Sequence, residues 1–330
     1  MIPDLSAFPR VPLGTWPTPL QEAPRLSEAM GGRILLKRDD VNGLGAGGNK
    51  LRKLEYLLGG ALADGADTVI TFGSLQTNYG RQTAAAAAHL GLRCELVLTT
   101  SVPRSGEAYE QSGNLVLGRL FGAGMHICRN GAEAQERAQA LVEAERVQGR
   151  RAVVLPMGGS NALGTLGYVS AAQELADQLR QHGIEQARIV APLGSSGTAA
   201  GLILGAAGLP WDLSFACVLQ PAGPAETELW KLVEETATLL GVKPPPSDRV
   251  HINDRALGPG YGQPTREVWH AVRTFARTEG VLLDPVYTGK SAAHLLAGTG
   301  VDTDVPTVFL HTGGLPALFA YLPEMAEALE

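Results

Sequence analysis

The chain has 330 residues, a length that fits one large or two modest domains. Hydrophobic residues make up 45% of it and aromatics only 5%, so a packed core must be filled by aliphatic side chains and alanine. A formal net charge of −6, with no block rich in Lys and Arg, excludes nucleic acid and an anionic membrane surface as expected partners.

The stretch up to Leu20 is broken by Pro3, Pro9, Pro12, Pro17 and Pro19. It lacks the basic start and apolar centre of a secretory leader, so a cytoplasmic chain is expected. No apolar run reaches the roughly 20 residues of a transmembrane helix. Cys94, Cys128 and Cys217 lie far apart in apolar, strand-like stretches and read as reduced, buried thiols.

Short runs rich in Val, Ile and Leu recur along the chain, at 33–37, 68–72, 94–98, 125–128, 152–155, 189–191, 215–219 and 308–310. Between them lie helix-length segments with mixed faces, such as 50–63, 77–90, 131–148 and 163–182. Continuous apolar strands alternating with helices predict α/β architecture with mostly parallel sheets buried on both faces. Glycine clusters at 43–48 and 158–164 mark candidate crossings between two units. The expected division is a larger domain of residues 1–48 with 160–330, a smaller one of 49–159, and a cleft between them. Gly197, Gly201 and Gly205 read as close helix packing, and Pro244-Pro245-Pro246 as a stiff surface connection.

The segment from Lys37 to Lys50 sets charges before a glycine-rich loop and puts a lysine at the start of a predicted helix. Burial and nearby helix N–H groups lower a lysine's pKa, and only a neutral amine attacks an aldehyde. By itself the spacing favours a surface lysine after a flexible turn. Gly43-x-Gly45-x-x-Gly48 also matches a dinucleotide fingerprint, with Asp64 and Asp67 near the distance of a ribose contact. That fingerprint should follow a strand directly, and residues 38–42 intervene.

A second loop, Gly194-Ser195-Ser196-Gly197-Thr198, lies between a predicted strand and a predicted helix. Free backbone N–H groups, the positive helix end and hydroxyls make such a loop a phosphate site. An ordinary capped turn fits the letters equally well. No GKS/T motif is present, so a monophosphate suits it better than a nucleotide.

Several blocks, in order, are specific where one would not be: Pro17-Thr18-Pro19-Leu20, Lys37-Arg38-Asp39-Asp40, the run from Gly47 to Glu55, Gln76-Thr77-Asn78, Arg81-Gln82-Thr83-Ala84, the run from Gly258 to Gly262, the run from Asp284 to Lys290, and His311-Thr312-Gly313-Gly314. Over nearly its whole length the chain resembles the D-cysteine desulfhydrase and 1-aminocyclopropane-1-carboxylate (ACC) deaminase family of fold-type-II pyridoxal phosphate (PLP) enzymes. The resemblance implies that Lys50 is the Schiff-base lysine and the base for the α-proton, and that Asn78 bonds the cofactor's phenolic oxygen. It implies that residues 194–198 grip the phosphate with Lys53 as charge partner, that Thr288 meets the pyridine nitrogen, and that Tyr261 and Tyr287 face a small amino-acid substrate. Thr77 would hold the substrate carboxylate. His311 reads as structural. No metal is invoked, and a homodimer is implied.

ACC deaminases carry Glu and Leu where this chain has Thr288 and Thr312, so β-elimination, with D-cysteine as substrate, is the expected reaction. An L-cysteate sulfo-lyase, an ACC deaminase-like lyase and a non-catalytic PLP-binding relative are the alternatives. Two departures from the family pattern stand out. Thr77 replaces a serine and adds a methyl group, and Tyr79 stands where relatives often have histidine.

Overall fold

The computed structural model of the protein describes residues 4–298 and 304–329. Its strands are β1 (Leu20–Glu22), β2 (Ile34–Arg38), β3 (Thr68–Ser74), β4 (Arg93–Thr99), β5 (Gly124–Cys128), β6 (Ala152–Val154), β7 (Ala187–Leu193), β8 (Trp211–Cys217), β9 (Val250–Asn253) and β10 (Thr307–His311). They form two sheets: one ordered β1-β2-β10-β7-β8-β9, the other β5-β4-β3-β6. Every pairing is parallel except that of β1 with β2. The central strands β7, β8 and β10 are buried along almost their whole length, as continuous apolar runs require when helices cover both faces.

The chain leaves the six-stranded sheet after β2, builds the four-stranded sheet from β3 to β6, and returns before β7. Helix Lys50–Ala63 carries the first crossing and helix Ala162–Gln181 the second, and the two pack against each other. Close approach at the return depends on glycine. A Cβ on Gly201 would lie 2.4 Å from the Cβ of Tyr168, and one on Gly205 2.5 Å from that of Ala172. Helix Gly197–Gly205 therefore sits directly on helix Ala162–Gln181, as the glycine spacing anticipates. Residues 244–246 run without regular structure at the surface. All three cysteines are buried and free.

Pairing of β10 with β7 ends at Val190, whereas β10 stays beside β2 as far as His311. The carboxyl ends of β7 and β10 splay apart there. The helix after β7 leads on to β8 while β10 stays with β2, so the chain turns to opposite sides of this gap. Open parallel sheets bind ligands at such a switch point.

Candidate active site

A cavity of about 450 Å³ opens at that point. Residues just beyond β7 and β10 line one side, and Ser74, Thr77, Asn78 and Thr99, beyond or at the ends of β3 and β4, line the other.

Lys50 begins its helix and lies deep in the cavity, with its Nζ 3.4 Å from the Gly158 carbonyl oxygen. Lys53, one turn on, is fully buried and donates to the same carbonyl at 3.2 Å and to Ser160 Oγ at 3.1 Å. Burial pushes the Lys50 amine down to about 8. Burial also lowers Lys53, and the charge of Lys50 beside it adds to the effect.

The glycine loop before Lys50 spends its own N–H groups. Gly48 N donates to the Asp39 carbonyl at 3.0 Å and to Asn42 Oδ1 at 3.1 Å, and Gly47 N donates to Leu44 O at 3.1 Å. With the N–H groups of Gly47 and Gly48 turned inward, the last glycine of the fingerprint has no amide to offer a pyrophosphate, which counts against the dinucleotide reading of 43–48. What the loop does is deliver Lys50 to the cavity.

Loop 194–198 is built differently. Ser196 has a left-handed φ of 63° at the start of helix Gly197–Gly205, and its buried hydroxyl has no protein partner. Ser160 Oγ accepts from Gly197 N at 3.3 Å and donates to Ser195 Oγ at 2.8 Å. Thr198 Oγ1 accepts from Asn49 Nδ2 at 3.0 Å, which ties the loop to the residue before Lys50. A Cβ on Gly197 would come within 2.7 Å of Lys53 Nζ, so only glycine lets that amine approach the loop. Amides at a helix start, hydroxyls and a lysine here converge on one spot, the composition of an anion site. Ser160 and Asn49 are members that sequence reasoning missed.

On the opposite wall Thr77 caps helix Asn78–Leu90, its Oγ1 accepting from Gly80 N at 3.1 Å. The hydroxyl hydrogen stays free to donate. Space for the extra methyl comes from two glycines: a Cβ on Gly80 would lie 2.5 Å from Thr77 Cγ2, and one on Gly73 would lie 2.5 Å from Thr77 Cβ. Gly80→Ala is therefore expected to lower stability by about 1–3 kcal/mol through overpacking. Thr77→Ser should relieve the clash, so that the double variant regains most of the loss in thermal denaturation. An additive double variant would clear the methyl group of blame. Tyr79 touches the cavity but packs into a hydrophobic core cluster, and its buried hydroxyl has no protein partner.

Tyr261 and Tyr287 meet at the cavity with their hydroxyl oxygens 2.6 Å apart and their rings inclined at 69°. Burial raises both phenols above their ordinary range, Tyr287 the further, so both are protonated at neutral pH. Lys290 holds the turn before Tyr261, donating to the Leu257 carbonyl at 2.6 Å and to that of Gly260 at 2.7 Å.

Thr288 corrects the expectation placed on it. It is fully buried and its hydroxyl closes a cap with Asp284, donating to Oδ1 at 2.7 Å and accepting from the Asp284 N–H at 2.8 Å. Its one hydrogen is spent, so it has none to offer a pyridine nitrogen. Of Thr288 and Thr312, the one that lines the cavity is Thr312. His311 is structural, as expected: its Nδ1 accepts from Gly313 N at 3.2 Å and its Nε2 donates to the Leu282 carbonyl at 3.0 Å.

Residues 11–313 match the family model described as pyridoxal-phosphate dependent enzyme. Over 324 residues the chain is 42% identical to the D-cysteine desulfhydrase of Salmonella paratyphi B, covering 97% of this chain and 98% of that one. The D-cysteine desulfhydrase of Salmonella newport matches to the same extent. Among solved structures, an ACC deaminase homologue superposes with a TM-score of 0.88 at 38% identity, over 98% of this chain and 97% of its own. A fungal L-serine ammonia-lyase from Rhizomucor miehei gives a TM-score of 0.68 at 19% identity, over 96% and 98%, which is a likeness of fold alone.

Proposed function

We propose, from the premise that this chain belongs to the pyridoxal-phosphate dependent enzymes and among them to the D-cysteine desulfhydrase and ACC deaminase family, that it eliminates the β-substituent of small amino acids, D-cysteine above all. With D-cysteine and one water the products are pyruvate, hydrogen sulfide and ammonia. The observation that carries this reading is one cavity with Lys50 between an anion cradle and a pair of phenols.

The residues fit the cofactor. Ser196 supplies a buried hydroxyl with no protein partner, Gly197 and Thr198 begin a helix, and Lys53 and Ser160 complete a cradle for a phosphate. Lys50 supplies the amine that bonds the aldehyde, and Asn78 an amide for the phenolic oxygen. Bound there, pyridoxal phosphate supplies an electron sink for charge developing at the substrate's α-carbon.

Lys50 Nζ, once neutral, takes the α-proton. The Thr77 hydroxyl and the start of helix Asn78–Leu90 orient the substrate carboxylate. Sulfur departs with the electron pair of the Cβ–S bond, and the Tyr261–Tyr287 pair supplies its proton, since one of the two hydroxyls keeps a hydrogen free of their mutual bond. The enamine released into water hydrolyses to pyruvate and ammonia. Thr312 gives the cavity a neutral hydroxyl rather than an acid, which would suit prompt expulsion of the β-group. The division at 48/49 and 159/160, a homodimer and a cytoplasmic setting complete the reading. Among the described residues no helix is long and apolar enough to cross a membrane.

The test is a panel of D- and L-cysteine, L-cysteate, D- and L-serine, β-chloroalanine and ACC, assayed for keto acid and ammonia with the reconstituted enzyme. D-cysteine is expected to give the highest kcat/KM, with one sulfide per pyruvate. Faster turnover of L-cysteate or ACC would replace this assignment with that one. No turnover of any member by an enzyme that holds its cofactor would leave a binding protein.

A further inference from the structure

Arg81 is 1% exposed and finds only neutral partners. Its Nε donates to Asn114 Oδ1 at 2.9 Å, its Nη1 donates to the carbonyls of Gly45 and Gly47, and its Nη2 has no partner. Burial lowers its pKa to about 9, still above neutrality, and no charged neighbour contributes to that shift. A buried guanidinium without a counter-ion is costly, and its field is poorly screened.

The partners form a directed chain. Arginine can only donate, so the Asn114 atom facing it must be the oxygen. Asn114 Nδ2 is then turned to the Gln76 carbonyl at 3.0 Å and to Asn78 Oδ1 at 2.8 Å. The Gln76 carbonyl can only accept, so it requires the same orientation independently. With its oxygen taken by Asn114, Asn78 presents its NH2 group to the cavity it lines. Turning either asparagine over would set donor against donor.

We propose that Arg81 and Asn114 are positioning residues, which hold Asn78 with its amide N–H toward the cavity and place an unneutralised positive charge behind that donor. The proposal rests on the reading of Asn78 as donor to the cofactor's phenolic oxygen. It adds an electrostatic consequence: negative charge on that oxygen is stabilised from behind the protein wall, and the proton shared near it is held less tightly.

The test is spectrophotometric pH titration of the holoenzyme's visible band. Asn114→Asp keeps the shape and the bonds to Arg81, but it cannot donate to Asn78 and it cancels the charge. Its midpoint is expected to rise by about one pH unit, a tenfold tighter proton. Arg81→Lys, which keeps charge but loses the planar fork, is expected to shift it the same way by less, and it serves if the first variant is not recovered folded. In an Asn78→Ala background the effect of Asn114→Asp should shrink. An unchanged midpoint in a folded variant, or the same shift with and without Asn78, overturns the proposal. A wild-type protein that gains no visible band with pyridoxal phosphate overturns instead the reading on which it rests.

Discussion

Replacing Lys50 with alanine is expected to lower elimination by at least about a thousandfold and to abolish the covalent cofactor in the same step. A positioned general base alone is worth about 10²–10⁴ in rate, and here the same amine also anchors the cofactor. Borohydride reduction followed by peptide mass measurement should find the pyridoxyl phosphate adduct on the peptide carrying Lys50 in the wild type and nowhere in the variant. Elimination that survives in Lys50→Ala would remove Lys50 from its role.

The apoenzyme offers a second view of the same amine. Its pKa lies near 8 because burial disfavours the ammonium form, and only the neutral form attacks an aldehyde. The rate of association with pyridoxal phosphate is therefore expected to rise with pH through about 8 and then level off. A rate flat from pH 7 to 9 would mean that the amine is already free of its proton, or that another step limits.

The parts of the molecule legible in the sequence are those whose chemistry repeats locally. Strands β3, β4, β7 and β10 are buried runs of Val, Ile, Leu and Phe that cannot serve elsewhere, and helix Asn78–Leu90 is announced by Thr77 at its cap. Strands β1 and β9 escape notice because they are edge strands of three and four residues, only partly buried, too short to carry a continuous apolar run. Loop 194–198 is readable because strand, glycine and hydroxyl residues are consecutive. Ser160 is not, because it meets Ser195 across 35 positions. Thr288 misleads because Asp284 takes its hydroxyl. An aspartate just ahead of a helix is a capping signal in its own right, and it is the one local mark of the competitor for that hydrogen, which sequence reasoning passed over. Asn114, set 36 residues from Asn78, carries no local mark at all.

The largest expected loss of stability comes from Asp39, whose replacement by asparagine should cost about 3–5 kcal/mol at neutral pH. Asp39 is fully buried and takes both arms of Arg52 at 2.8 Å, while Arg52 also grips Glu174 at 2.9 Å and lies 4.0 Å over the Trp16 ring. Lys37 joins the cluster through Glu174, Gln178 and the Thr18 carbonyl. Two carboxylates and two cations balance there, so removing one carboxylate leaves a buried positive charge without compensation.

The pH dependence follows from the same balance. Burial alone would raise the Asp39 carboxyl, but Arg52, with help from Lys37 and Tyr168, outweighs it and brings the pKa to about 2. The unfolded value is about 3.9. A carboxyl depressed on folding stabilises fully above the unfolded value, and that contribution fades as pH falls toward 2. Urea unfolding of wild type and Asp39→Asn should thus differ most at pH 7 and converge below about pH 4. The consequence reaches the site, because Arg52 is two residues beyond Lys50 and the Asp39 carbonyl accepts from Gly48 N. A variant that remains folded should therefore also bind the cofactor more weakly. Unchanged stability at neutral pH would show that water, and not the fold, compensates these charges.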